Sequence, residues 1–217
     1  MDTQPAVENY PVRLSIDYPD RNLNRLTSFS RLIVAIPIII MLATVSGETW
    51  SGSWNTGRDY AEVSGATAGG VLFFAPLLMI LFRRKYPRWW FDWNLALFRF
   101  TNRVFAYLCL MDDRYPSTDE DQAVHIEIDY PDARQDLNRW MPLVKWLLAI
   151  PHFIVLVFLA IAAFFAVIGA WLAILFTGKY PRGLFDFLEG VFRWSARVEG
   201  YAFLLVTDRY PPFSLNA

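Results

Sequence analysis

Leu147 to Phe176 reads LLAIPHFIVLVFLAIAAFFAVIGAWLAILF, thirty residues without Asp, Glu, Lys or Arg. Apolar runs above roughly 18 residues mark membrane segments, so this stretch governs how the rest is read. Its only ionisable side chain is His152. A run this long allows two shapes, one very long helix or a tight helical hairpin.

Working outward, five short signatures recur in one order. Ile16-Asp17-Tyr18-Pro19 is matched by Ile128-Asp129-Tyr130-Pro131, and Leu23-Asn24-Arg25 by Leu137-Asn138-Arg139. Ala35-Ile36-Pro37 returns as Ala149-Ile150-Pro151, and Lys85-Tyr86-Pro87-Arg88 as Lys179-Tyr180-Pro181-Arg182. Asp113-Arg114-Tyr115-Pro116 returns as Asp208-Arg209-Tyr210-Pro211. Chance does not give five such matches in one order. The sequence therefore reads as two tandem membrane repeats, residues 10–116 and 124–213.

The first copy splits the apolar run. Leu32–Val45 and Ala66–Phe82 are apolar, and a polar, glycine-rich insertion at 47–65 lies between them. The Ala-Ile-Pro signatures are 114 residues apart and the Lys-Tyr-Pro-Arg signatures 94 apart, so the first copy carries 20 extra residues. A polar loop of that length has no partners for its backbone in hydrocarbon. The insertion point must then reach water or headgroups, and in the second copy it falls near Leu159–Ala163. Each copy is accordingly expected to be a helical hairpin.

Arms of about 15–17 residues cover only about 22–26 Å of roughly 30 Å of hydrocarbon. Full crossing with some bilayer thinning is the favoured expectation, and a deep re-entrant hairpin is the alternative. Pro37 and Pro151 are expected to bend the first arms. Arg21, Arg25 and Arg31 precede the first hairpin, and Arg83, Arg84, Lys85 and Arg88 follow it. Arg134, Arg139 and Lys145 precede the second, and Lys179 and Arg182 follow. The positive-inside rule places these, and both termini, in the cytoplasm of a multi-pass protein.

Val12, Leu14 and Ile16 alternate with polar neighbours, as do Val124, Ile126 and Ile128. Period-two alternation ending in Tyr-Pro predicts two short strands, which could pair. A third helix follows each hairpin, at about Trp89–Leu110 and Leu184–Val206. Asp186, Glu189, Arg193 and Arg197 share one face of the second, and Asp92, Arg99 and Arg103 hold the same stripe in the first, where Leu95 replaces the glutamate. Glu189 and Arg193 are spaced to pair. A charged stripe with Trp89, Trp90, Trp93, Tyr107, Trp194 and Tyr201 predicts a helix lying in the headgroup layer. The competing placement is a third spanning helix whose stripe faces a partner or cavity.

Catalytic signatures are lacking. The sequence holds no Walker A, GxGxxG, G-x-S-x-G, CxxC or HExxH pattern. The single cysteine, Cys109, excludes an intrachain disulfide and reads as an inert apolar thiol. His152 reads as bonded to a carbonyl freed by Pro151, with haem ligation or proton relay as the functional alternative. Arg114 and Arg209 are candidate contacts for lipid phosphate. The plainer reading of their motifs is a turn whose aspartate pairs with a stripe arginine. Lys179 and Arg182 sit where anionic lipid would be attracted. Arg99, Arg103, Arg193 and Arg197 complete the candidate lipid or partner contacts. Trp50 and Trp54 are expected at the outer interface or against a partner.

The strings Trp146–His152, Phe176–Asp186 and Thr207–Phe213 resemble a numbered "domain of unknown function" family of bacterial membrane proteins, present as two tandem copies. The second copy resembles it closely. The first departs through its insertion and through Arg83-Arg84 in place of Thr-Gly. The resemblance implies bacterial origin and membrane residence, and brings no catalytic residues.

Composition agrees with this class: 55% hydrophobic and 17% aromatic residues, with a net charge of −1 and mean hydropathy +0.26. The expected fold class is an all-α integral membrane protein of two tandem repeats, each a short strand, a transmembrane or re-entrant helical hairpin and an amphipathic interfacial helix. The expected function is a non-catalytic accessory or scaffold subunit of a larger complex in the bacterial inner membrane. Its partners would be membrane lipids, including anionic ones, and other membrane subunits. No cofactor, metal or nucleic acid is expected. A lipid-binding or lipid-organising module is the alternative, and a small oligomeric transporter or channel the third.

Overall fold

A computed structural model of the 217-residue chain describes residues 10–19, 23–46 and 75–216. The insertion 47–65, Trp50 and Trp54 lie outside the described residues, as do 66–74 of the expected second arm. Element order is β1 (Val12–Ile16), α1 (Arg25–Val34), α2 (Ile36–Ser46), a π-helical turn (Met79–Arg83), α3 (Arg88–Leu108), β2 (Val124–Ile128), α4 (Met141–Leu148), α5 (Ile150–Thr177) and α6 (Arg182–Ala202).

The strands pair antiparallel, with Val12 opposite Ile128 and Ile16 opposite Val124. Alternation explains their faces. Val12, Leu14, Ile16, Val124, Ile126 and Ile128 are buried, and the intervening polar residues are exposed. On the wet face Arg13 pairs with Glu127 and Asp129 at 3.4 and 3.0 Å, and His125 meets Asp17 at 2.9 Å. The apolar face packs on α6 and α3.

The all-α, two-repeat integral membrane architecture is not what forms. The sheet is one departure, and the decisive one lies in the apolar run. No hairpin turn occurs near Leu159–Ala163, because α5 is continuous from Ile150 to Thr177. The physical reason is local: Leu-Ala-Ile-Ala-Ala offers no glycine, proline or polar side chain to stop a helix, and alanine is the strongest helix former. At about 1.5 Å per residue α5 is about 42 Å long, enough to cross roughly 30 Å of hydrocarbon once. Among the described residues, Met141–Thr177 is the one helical stretch long and apolar enough to cross a membrane. Basic residues then fall at both ends of one helix rather than at the mouth of a hairpin. The charge rule no longer gives the multi-pass orientation that the sequence suggested.

The two halves also interlock. One core cluster runs from Tyr10 and Leu23 through Phe98 and Met111 to Leu188 and Val206. Two smaller clusters flank it, Ala35 and Ile38 against Phe100, Val104 and Tyr107, and Ala149 against Trp194, Val198 and Tyr201. Helices break at Ala35 and Ala149, just before Ile36-Pro37 and Ile150-Pro151. Proline lacks the N–H that would carry a helix through, so it sits in the first turn of the next one.

Helix stops are matched as well. Gly178 caps α5 with φ 76°, its N–H donating to the Ile174 carbonyl at 2.7 Å. Arg84 ends the π-helical turn with φ 47°. Leu110 and Leu205 adopt the same left-handed conformation beyond α3 and α6. Glycine takes it without strain and the other three do not.

Candidate functional site

The most distinctive surface is the outer face of α5. A narrow stripe of His152, Ala166, Ala170 and Ile174 is buried. The small side chains of Ala166 and Ala170 in this stripe let α6 lie close to α5. Beside it Phe153, Leu156, Leu159, Val167 and Trp171 are partly buried against the core, and the opposite side of the helix is bare. Ile154, Val157, Phe158, Ile161, Phe164, Phe165, Ile168 and Leu172 are exposed, Phe158 to 68% and Phe176 to 80%. Only 11% of the most apolar window is buried, which separates α5 from the core helix of a globular domain. Ile33, Ile36 and Ile40 of α1 and α2 and Trp140, Leu143 and Leu147 at α4 are exposed as well. Apolar patches on this scale mark a membrane or protein contact.

Behind this face lie two buried cations. Arg31 is 2% exposed, pairs through Nη2 with Asp113 Oδ1, and donates through Nη1 to the carbonyls of Tyr107 and Asp112 at 2.7 and 2.9 Å. Asp113 Oδ2 accepts the Asn24 N–H at 2.9 Å. Lys145, fully buried, lies 2.7 Å from Asp208 Oδ1 and donates to the Thr207 carbonyl at 2.7 Å. Asp208 Oδ2 accepts the Asn138 N–H. The Asp-Arg-Tyr-Pro aspartates thus pair with the cation of α1 or α4, not with a stripe arginine as expected. The signal was present in the sequence: Arg31 and Lys145 are also 114 residues apart.

Other contacts cross between the halves. Tyr18 Oη donates to the Tyr180 carbonyl at 2.5 Å, and Tyr130 Oη to the Tyr86 carbonyl. Tyr86 Oη donates to Leu204 O at 2.9 Å, and Tyr180 Oη to Cys109 O at 3.2 Å. Arg25 and Arg139 donate to Phe176 O and Leu81 O.

The charged stripes turn inward. A two-stranded sheet leaves two edges of unpaired backbone groups. Arg193 Nε donates to Leu14 O at 3.0 Å, Glu189 Oε1 accepts the Ile16 N–H at 3.1 Å, and the pair is itself joined at 2.6 Å. Arg99 Nε donates to Ile126 O at 2.9 Å on the other edge. Arg103 Nη1 reaches Ser117 O at 3.1 Å. Arg197 is buried and donates to Arg193 O, Ser214 O and Asn216 O, holding down the chain end. These arginines are therefore not spread over headgroups on an in-plane helix. Their burial lowers the pKa of Arg103 and Arg197.

The other sequence-chosen residues stay outside. Arg114 is half exposed and pairs with Asp112 at 3.0 Å. Arg182 is exposed, stacks over Tyr18 at 4.3 Å and lies 3.5 Å from Asp186. Lys179 and Arg209 are exposed. His152 is fully buried, and its Nδ1 accepts from Trp194 Nε1 at 3.0 Å rather than the ring bonding to a carbonyl freed by proline. Phe213 stacks on it at 3.9 Å between centroids. Burial pushes the Cys109 thiol up to about 11, which suits an inert side chain. Among the described residues no group of three or more His, Cys, Asp or Glu could hold a metal.

Fold and site together define a helical protein with a small antiparallel sheet and, among the described residues, one helix long and apolar enough to cross a membrane. Residues 139–214 match the family model described as a domain of unknown function (DUF4389). The match spans α4, α5, α6 and the closing segment through Phe213. No curated protein and no solved structure matches the chain.

Proposed function

We propose that the protein is a non-catalytic accessory or scaffold subunit of a bacterial cytoplasmic-membrane complex, with α5 in the hydrocarbon. The observation that carries this reading is the bare apolar outer face of a charge-free, 28-residue helix. Burying a large aliphatic or aromatic side chain is worth about 1.5–3 kcal/mol, and α5 alone exposes nine such residues from Ile154 to Phe176. Lipid covers part of this surface, and a neighbouring membrane subunit covers the rest. The cations left outside, Arg114, Lys179, Arg182 and Arg209, supply attraction to anionic headgroups at about 1 kcal/mol each near a charged surface.

Gentle extraction from native membranes, followed by mass spectrometry of what co-elutes, tests the reading. A stoichiometric membrane-protein partner is the expected result. Recovery of the chain alone would overturn the subunit role, and recovery from the soluble fraction would overturn the membrane role.

A further inference from the structure

An open pocket of about 660 Å³ lies between the segment that leads into α3 and the turn that follows β2. Its volume falls within the range of small-ligand sites. Four cations line it, Arg84, Lys85 and Arg88 from the first segment and Arg134 from the second. The two segments are tied to each other. Tyr130 Oη donates to the Tyr86 carbonyl, and Tyr86 is itself buried with its Oη on Leu204 O at 2.9 Å. Arg88 lies over the Tyr130 ring, 5.1 Å from its centroid. The backbone that carries the cations is therefore fixed before a ligand arrives.

The charges do not cancel. Asp132 and Asp136 also line the pocket, and each is engaged with backbone. Asp132 Oδ1 accepts the Arg134 N–H, and Asp136 Oδ2 the Asp132 N–H, both at 2.8 Å. Among the described residues Arg84, Lys85 and Arg134 form no ion pair, and Arg88 meets Asp92 only at 4.0 Å. Four cations against two carboxylates leave a net charge of +2. Like charges gathered in one place repel, and a bound anion relieves that repulsion.

Arg84 adds a second observation. Its φ of 47° is left-handed, a conformation that glycine takes without strain, and Gly178 fills the corresponding helix stop before Lys179-Tyr180-Pro181-Arg182. Glycine would serve the first stop equally well. An arginine there strains the turn, and what it adds is a guanidinium on the pocket wall. Depth is indicated by Phe82 and Trp89, which bracket the turn and are 69% and 65% exposed. Exposed aromatics beside cations suit the headgroup layer, where phosphate lies, rather than the hydrocarbon.

We propose that this pocket binds a phosphate monoester as a dianion, with Arg84, Lys85, Arg88 and Arg134 as its contacts. Guanidinium groups meet phosphate oxygens in paired hydrogen bonds. A monoester carries close to two negative charges at neutral pH, which matches the net charge of the pocket. A phospholipid ending in phosphate and a soluble phosphate ester share this chemistry. The site uses none of the cations given above to general attraction for headgroups, and it stands whether or not a subunit partner exists.

The test uses the full chain in phosphatidylcholine nanodiscs containing dioleoyl phosphatidic acid or dioleoyl phosphatidylglycerol, with native mass spectrometry of retained lipid. Glycerol 3-phosphate is titrated by calorimetry against the chain in detergent. Phosphatidic acid is expected to be retained about 5- to 10-fold over phosphatidylglycerol. Its retention without binding of glycerol 3-phosphate assigns a lipid source, and glycerol 3-phosphate binding assigns a soluble one. Arg84→Gly, which keeps the turn, is expected to weaken the bound monoester about fivefold with no fall in melting temperature, and Arg134→Ala to weaken it by a similar factor. No preference for phosphatidic acid together with no binding of glycerol 3-phosphate would overturn the proposal. So would monoester binding that both folded variants leave unchanged. The comparison of ligands uses the unaltered chain and stands even if a variant fails to fold.

Discussion

Lys145 and Asp208 form an ion pair at 2.7 Å in which the ammonium has no contact with solvent. Arg31 and Asp113 repeat the arrangement between α1 and the segment after α3. In each pair the aspartate also holds the backbone N–H of an asparagine, Asn138 or Asn24. Each carboxylate thus ties a helix start, a buried cation and a chain turn together. Removing one member of a buried pair leaves an uncompensated charge and costs about 3–5 kcal/mol. Asp208→Asn and Asp113→Asn are each expected to lower thermal stability by about that amount. Lys145→Met combined with Asp208→Asn should recover part of it, and a double-mutant cycle by melting in detergent checks this.

Arg84 and Gly178 occupy the same kind of helix stop, and only one is glycine. Gly178→Ala places a Cβ at φ 76° and is expected to cost about 1 kcal/mol. Arg84→Gly relieves strain at φ 47° and is expected to raise stability or leave it unchanged. The denaturant midpoint should fall for Gly178→Ala and should not fall for Arg84→Gly.

Arg197 and Arg182 separate structural from surface cations. Arg197→Ala strips the carbonyls of Ser214 and Asn216 of their donor and is expected to cost about 2–4 kcal/mol and to expose the chain end to protease. Arg182→Ala is expected to change stability by less than about 0.5 kcal/mol. Its effect belongs to anionic vesicles, where co-sedimentation should weaken about fivefold, equivalent to about 1 kcal/mol. A strong loss of vesicle binding in folded Arg197→Ala would contradict this division.

Glu199, partly buried on α6, has its pKa raised from 4.5 to about 7 by desolvation, which a hydrogen bond from Ser195 Oγ at 3.2 Å only partly offsets. The folded chain therefore keeps this proton after the unfolded chain has released it. The sign follows from linkage: this group favours folding most below pH 4.5, and its contribution declines as pH rises towards 7. At about 1.4 kcal/mol per unit the decline amounts to a few kcal/mol. Glu199→Gln should flatten the stability profile between those values, measured by chemical denaturation. A profile as steep as that of the unaltered chain would remove Glu199 as the cause.

Several elements were legible in the residues because their causes are local. The alternation in Val12–Ile16 and Val124–Ile128 yields two strands with one buried face, and those strands pair. The third helices end within a few residues of where periodicity puts them. Glu189 and Arg193 pair as their spacing suggests. The second half forms one continuous helix rather than the expected hairpin, because a polar insertion in one segment says nothing about the backbone of another that lacks it. Periodicity leaves the stripe arginines either in the headgroup layer or against a partner or cavity, because a charge row on a helix looks the same whether water, phosphate or a sheet edge faces it. His152 found Trp194 rather than a backbone carbonyl for a similar reason, since a residue 42 positions away supplies the donor.

Sequence alone determined the apolar length of α5, the breaks before Pro37 and Pro151, and the alternating strands, because hydrophobicity, proline and side-chain period act within a few residues. Tertiary structure decided which charges are internal. Arg31, Lys145 and Arg197 are buried because carboxylates and carbonyls from 17 to 82 residues away meet them. Such pairing depends on how elements stack, and no local pattern encodes it.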